Sequence, residues 1–432
     1  MNAPARFTIL SLSLIFAMND VDAQPAGYNY DESNVPQFTL PDPLTANNGS
    51  KVTTTNQWLA VRRPEIYALI EDQMFGRQPG RSAEMVFEVT STERGALGGK
   101  AVRKQVTIHP LGEGGGHEIH VLMYLPVDAK GPVPMFVGYN FRGNHTVNAD
   151  PGIDLATSWV PNDQDNGVTD NRATDAGRGT SSSRWAVDAI LDRGYGLATI
   201  YYGDVEPDHK DGWKEGIRSK LKTDKDGKPL ELEEWSAISA WSWGLSRVMD
   251  YFETDDDVNS KQVALMGHSR LGKTSLWGGA SDVRFAIVIS NDSGCGGAAL
   301  SKRAFGETVK RINTSFPHWF NKNFKQYNDN EPALPFDQHE LIALIAPRPV
   351  YVASAVDDQW ADPKGEFLSA KYAGPVYELF GEGGVGVEEQ PAIDTPVGDT
   401  VGYHIRTGKH DVTDFDWEQY LNFADRQFKK TE

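Results

Sequence analysis

The stretch Val263-Ala-Leu-Met-Gly-His-Ser-Arg-Leu-Gly-Lys273 decides how the chain folds. It reads as a buried strand that stops at Gly267, a turn that carries Ser269, and a helix that starts at once. Glycine at 267 suits a turn that brings two backbones together and leaves no room for a Cβ beside the serine. A serine so placed exposes its hydroxyl at the end of a strand, where a nucleophile belongs. The other reading is a serine that only caps a structural helix. The match to Gly-x-Ser-x-Gly is incomplete, because Leu271 takes the last glycine position and the glycine moves to 272.

Outward from this turn, short apolar runs alternate with helical patterns. Residues 135–138, 196–202, 262–267, 285–290, 349–354 and 376–380 read as strands, and 183–193, 234–251, 272–280, 338–346, 364–372 and 413–428 as helices. That rhythm builds βαβ units and a parallel sheet. Upstream, 85–90, 101–108 and 117–124 alternate like antiparallel strands with one wet face, and apolar spacing predicts a helix over 56–75. Together these predict an α/β protein: an α/β-hydrolase fold, a three-layer αβα sandwich with a mostly parallel central sheet, whose strand–turn–helix serine is the nucleophile elbow. Polar insertions at 148–179, 204–233, 301–337 and 381–399 read as lids or binding walls, and 24–55 as an extended surface segment. Length alone suggests about three domains. With no internal repeat, one catalytic domain over 24–432 is the better expectation.

Sixty acidic against 42 basic residues give a net charge of −18, which repels phosphate and excludes nucleic acid as a partner. The single cysteine, Cys295, allows neither an intrachain disulfide nor a cysteine metal cage. Arg6, the apolar run from Phe7 to Met18 and the small residues up to Ala23 predict a signal peptide over 1–23. The mature protein is then secreted or periplasmic, with no membrane span.

A serine hydroxyl needs a base within hydrogen-bond reach and a carboxylate to hold that base. The fold orders them Ser, acid, His, and only His318, His339, His404 and His410 follow Ser269. His410, in the glycine-containing loop before the last helix, is the expected base; His404, at a strand end, is its competitor. Two acids stay open on sequence grounds. Asp358 follows the 349–354 strand and Asp292 follows the strand after the nucleophile helix, both at the sheet edge where ligands bind. Asp357 reads as a solvated neighbour and Asp362 as the N-cap before Pro363. The backbone N–H of Arg270 is the expected oxyanion donor, with a second from Gly138-Tyr-Asn-Phe-Arg-Gly-Asn-His145. No His, Asp or Glu cluster stands at metal-ligand spacing, so no metal and no other cofactor is expected.

At these residues the chain resembles the glucuronoyl esterases, carbohydrate esterases that cleave esters between 4-O-methyl-glucuronate branches of xylan and lignin alcohols. The family pattern Gly-x-Ser-Arg-x-Gly-Lys is matched by Gly267-His-Ser-Arg-Leu-Gly-Lys273, and Ser-Gly-x-Gly-Gly-Ala by Ser293-Gly-Cys-Gly-Gly-Ala298. Bacterial members look similar at Asn140-Phe-Arg-Gly-Asn-His-Thr146, Trp360-Ala-Asp-Pro-Lys-Gly365 and His410-Asp-Val-Thr413. His268 stands where fungal members carry cysteine, and Asp292 where they carry a catalytic glutamate. The resemblance implies Asp358 as the main acid, as in some bacterial members, with Asp292 assisting or substituting. It also implies that the Arg270 side chain helps the oxyanion and, with Lys273, faces the sugar. Glu307 would accept from sugar hydroxyls, and Trp360 would lie along the ring, as an indole face suits a pyranose. The implied partner is a glucuronate ester of xylan or of a lignin–carbohydrate complex, and a monomer is the expected form. The alternatives are an acetyl- or feruloyl-type esterase on the same fold and a non-catalytic carbohydrate-binding protein.

Overall fold

The computed structural model describes residues 24–429; the expected leader, 1–23, lies outside them. Strands β1 (Val86–Gly95), β2 (Ala101–His109) and β3 (Ile119–Pro126) come first, then β4 (Val133–Asn140). A small hairpin, β5 (Val168–Thr169) with β6 (Arg172–Ala173), follows. The remaining strands are β7 (Gly196–Tyr201), β8 (Val258–His268), β9 (Ile287–Asn291), β10 (Val350–Ala355) and β11 (Val401–Arg406). All but the hairpin form one nine-stranded sheet in the order β1-β2-β3-β7-β4-β8-β9-β10-β11. Pairing is antiparallel from β1 to β7 and parallel from β7 to β11.

Strand alternation separates two cores. Val263 and Leu265 of β8 and Val350 and Val352 of β10 face one core, filled by the helices Ala237–Phe252, Arg270–Ser281, Gln338–Ala343 and Pro363–Leu379. Ala264 and Met266, with Tyr351 and Ala353, face the other, where Trp417, Tyr420 and Phe423 of the helix Asp414–Lys429 pack. Helices on both sides of a sheet buried on both faces make the three-layer α/β-hydrolase sandwich. The outer strand β1 is mostly exposed and carries Glu88, Glu93 and Arg94, charges that discourage pairing with another chain.

Two expectations fail. Residues 376–380 are not a strand, because the helix Pro363–Leu379 runs on through Pro375. Phe367, Ala370, Ala373 and Tyr377 keep its buried stripe at three-and-four spacing, and a five-residue apolar run does not by itself separate strand from buried helix. The sixth parallel strand is β11, which carries His404. The 381–399 insertion is not a binding wall. It runs along the outer side of β11, with Asp394 N–H on the Ile405 carbonyl and Val397 and Tyr403 exchanging both backbone bonds, and so covers that sheet edge. The other three insertions follow the carboxyl ends of β4, β7 and β9, and the expected helix over 56–75 is present with two π-turns.

Candidate active site

Ser269 sits between β8 and the helix Arg270–Ser281 with φ 58° and ψ −128°, a backbone conformation that disfavours any residue with a Cβ. Its side chain makes no capping hydrogen bond, so the hydroxyl is not spent on the helix. The turn is tight enough that a Cβ on Gly267 would meet the Leu271 carbonyl oxygen at 2.0 Å, and one on Gly272 would meet Ser293 Cβ at 2.9 Å. Ser269 N–H donates to the Asn291 carbonyl at 2.9 Å, tying the elbow to β9. Arg270 is the first helical residue, where N–H groups lack partners within the helix and face outward at its positive end. Gly138 and Asn140 prove to belong to β4, so the loop begins at Phe141, whose ring lies 6.1 Å from that of His268.

His410 comes to the elbow from the loop after β11. Its ring lies 4.5 Å from that of His268, next to the serine, and its Nδ1 is 2.6 Å from Asp358 Oδ2. The Asp358 side chain is 5% exposed and that of His410 29%, so the pair opens to solvent on the imidazole side. Asp292, also with positive φ, is buried beside them. Its Oδ2 accepts from Arg406 at 3.3 Å, while its Oδ1 has no partner. Burial, and then the Asp358 charge, push the Asp292 carboxyl well above the usual carboxylate range. One ligand atom from each of Asp292, Asp358 and His410 lies within 4.8 Å of the others, close enough to hold a metal, although Arg406 already supplies a positive charge there. Residue spacing hid this group because it spans three loops.

Arg406 also braces the histidine loop. It donates to Asp416 at 2.7 Å, to the Thr407 carbonyl at 3.2 Å and to the Asp411 carbonyl at 2.5 Å. His404 is a core residue, held between Asp416 at 2.9 Å and the Tyr351 hydroxyl at 3.0 Å. His318 and His339 are likewise engaged, with Asp208 and the Pro41 carbonyl. Asp362 caps the helix Pro363–Leu379 through Gly365 N–H at 2.9 Å and pairs with Arg303.

The recognition residues cluster around the elbow with more internal partners than sequence suggests. The Arg270 guanidinium pairs with Asp208 and lies over the rings of Trp319 (4.8 Å), Phe316 (5.5 Å) and Phe141 (5.7 Å). Its charge is therefore fixed in place rather than free to swing toward a sugar. Asp208, from the 204–233 insertion, also accepts from Tyr202, His318 and Trp319. Burial raises its carboxyl, but Arg270 and these donors outweigh that and hold it well below the usual range. Lys273 is buried, its ammonium donates to the Ser293 carbonyl, and burial lowers its pKa. Burial pushes Glu307 up to about 7 against the pull of Lys273. Trp360 is half-buried on the loop after Asp358.

Sequence reasoning missed Asp208, and it missed the segment 24–34, which it left on the surface. That segment reaches the site: Tyr28 meets the Trp360 ring edge-on at 4.8 Å. A polar, aperiodic stretch gives no signal of this beyond the paired tyrosines themselves.

Comparison with known proteins follows from this geometry. A family model described as fungal glucuronyl esterase matches residues 231–381. A carbohydrate esterase from an unknown prokaryotic organism is 52% identical over 94% of this chain and 93% of its own length. A 4-O-methyl-glucuronoyl methylesterase of Schizophyllum commune is 27% identical over 87% of this chain and 81% of its own. The solved glucuronoyl esterase of Solibacter usitatus superposes with a TM-score of 0.85 at 50% identity, covering 92% of this chain and all of that one.

Proposed function

The chain belongs to the bacterial branch of the glucuronoyl esterases, carbohydrate esterase family 15, and from that premise we propose that it hydrolyses esters of (4-O-methyl-)glucuronic acid by a serine mechanism. Asp358 on His410 Nδ1 fixes the tautomer that leaves Nε2 to take the Ser269 proton, and it stabilises the imidazolium that results. Ser269 attacks the uronate carbonyl, and the oxyanion is met by the Arg270 N–H and by the positive field of the Arg270 guanidinium. The alcohol leaves with the His410 proton, and water activated by the same base frees the acid. Asp292 stands as a reserve carboxylate. Lys273, Glu307 and Trp360 bind the sugar.

The observation that carries this reading is the 2.6 Å Asp358–His410 bond set against a strained serine whose hydroxyl caps nothing. A leader over 1–23 with export of one catalytic domain, and glucuronoxylan or lignin–carbohydrate esters as the natural substrate, complete the proposal. Among the described residues no helix is long and apolar enough to cross a membrane. The test compares wild type with Ser269→Ala on benzyl glucuronate and on acetylated xylan. Serine-dependent turnover of the glucuronate ester is expected. Turnover confined to acetyl esters would refute the uronate specificity, and no serine-dependent turnover at all would refute the mechanism.

A further inference from the structure

The N-terminal segment lies across the site as a strap. Asn29 accepts a backbone hydrogen bond from Gly306 at 2.9 Å, and the next residue, Glu307, donates its N–H to the Trp360 carbonyl at 3.0 Å. The strap, the 305–307 loop and the 358–360 loop are therefore stitched together by two consecutive amides. Gly306 has φ +61°, and a Cβ there would come 2.5 Å from the Trp360 carbonyl oxygen, so a larger residue would part the loops. Beyond the stitch, Glu32 bridges Arg303 (2.5 Å) and Lys364 (3.1 Å), which belong to the elements flanking the same two loops.

Two rings hang from this strap. Tyr28 meets the Trp360 indole at 4.8 Å with an interplanar angle of 87°, the edge-to-face geometry that aromatic quadrupoles favour. Tyr30 lies 6.5 Å from the same indole at 39°, is edge-on to Phe305 at 6.2 Å, and is anchored by its hydroxyl on the Pro25 carbonyl at 3.2 Å. Burial first, then the neighbouring Tyr28, Asp358 and Glu307, push its phenol up to about 12. Trp360 is carried on a 3-10 turn, Gln359–Ala361, and is half-buried, so its ring plane is set by the rings that meet it.

We propose that Tyr28 and Tyr30 are positioning residues for uronate recognition: they fix the plane of the Trp360 indole so that its face is presented to the pyranose before substrate arrives. The inference rests on Trp360 as the sugar-stacking residue of the proposed function. A preset indole spares the ordering that binding otherwise costs, so the strap acts on affinity for the sugar and not on the chemical step.

The test measures kcat and KM of wild type, Tyr28→Ala/Tyr30→Ala, Tyr28→Phe/Tyr30→Phe, Trp360→Ala and Tyr28→Ala/Tyr30→Ala/Trp360→Ala on benzyl glucuronate, with p-nitrophenyl acetate as an ester that has no sugar to stack. Two aromatic contacts of this kind correspond to roughly a 5- to 150-fold rise in KM for the alanine pair. The preference for glucuronate over acetate, as a ratio of kcat/KM, should fall by the same factor, the phenylalanine pair should restore it, and the alanine pair should add nothing in a Trp360→Ala background. An unchanged KM in the alanine pair while Trp360→Ala raises it would overturn the proposal, and so would an equal effect with and without Trp360. If Trp360→Ala itself leaves KM unchanged, the assignment of Trp360 fails and the strap's role falls with it.

Discussion

Replacing Asp358 by alanine separates the two carboxylates that face one imidazole. In the wild type the Asp358 oxygen is 2.6 Å from His410 Nδ1, and the Asp292 ligand atom lies within 4.8 Å of the same group. Moving the stabilising charge from the first distance to the second costs about 3 kcal/mol at an effective dielectric of about 20, or roughly 100-fold in kcat. A histidine deprived of any correctly placed acid loses about 10⁴-fold. Asp358→Ala is therefore expected to lose roughly 100-fold on benzyl glucuronate, and Asp358→Ala/Asp292→Ala to approach the full loss. The pH profile carries the sharper signature. Burial holds the Asp292 carboxyl well above its usual range, and removing the Asp358 charge takes away only the second cause. The acidic limb of kcat in Asp358→Ala should thus move to higher pH than in wild type, because the carboxylate now needed must first lose its proton. Steady-state kinetics between pH 5 and 9 read both effects. If Asp292→Ala abolishes turnover while Asp358→Ala stays within threefold of wild type, the assignment of Asp358 is wrong.

Other perturbations follow from the same geometry. Ser269→Gly should abolish esterase activity yet raise stability toward urea by about 1 kcal/mol, since the φ 58°, ψ −128° backbone costs a residue with a Cβ about 1–3 kcal/mol and glycine loses part of that gain in entropy; a less stable variant would refute the strain. Burial raises the Glu366 carboxyl to about 8 from 4.5, so the folded state keeps a proton that the unfolded chain releases in between. Its contribution is fully present below pH 4.5 and is lost as pH rises through 8, a slope of about 1.4 kcal/mol per pH unit. Glu366→Gln, which has no proton to lose, should show a correspondingly flatter fall in urea midpoint between pH 5 and 8, and an unchanged slope would count against it. Arg406→Met takes the charged partner from buried Asp292 and one of several partners from Asp416, with an expected loss of about 3–5 kcal/mol in denaturant unfolding; a neutral outcome would show that the brace is dispensable.

Much of the molecule was legible because its signals are local. The elbow declares itself in eleven residues: a buried apolar strand, a glycine that close approach demands, and an immediate helix. Loop order narrowed the base to His410 over His404 and the acid to Asp358 or Asp292, since a fold that gathers ligands at the carboxyl edge of its strands dictates which loops to search; the choice of Asp358 came from the family resemblance. The losses have equally physical causes. Residues 376–380 read as a strand because Val376-Tyr-Glu-Leu-Phe380 fits either period, and only the stripe from Phe367 onward shows the helix. The direction of the Arg270 side chain depends on Asp208, 62 residues upstream, and no pattern near the serine points to it. The strap was invisible because its contacts are made by two tyrosines, one backbone carbonyl and Glu32 in a stretch with no periodicity.

The parallel neighbours β9 and β10 pair up to Asn291 beside Ala353, β10 running two residues further, so Asp292 and Asp358 emerge on adjoining loops beside one imidazole. On the roles proposed for them, the chemistry asks that one of two adjoining loops keep a carboxylate beside the histidine, a tolerance that comparing Asp358→Ala with Asp292→Ala measures directly.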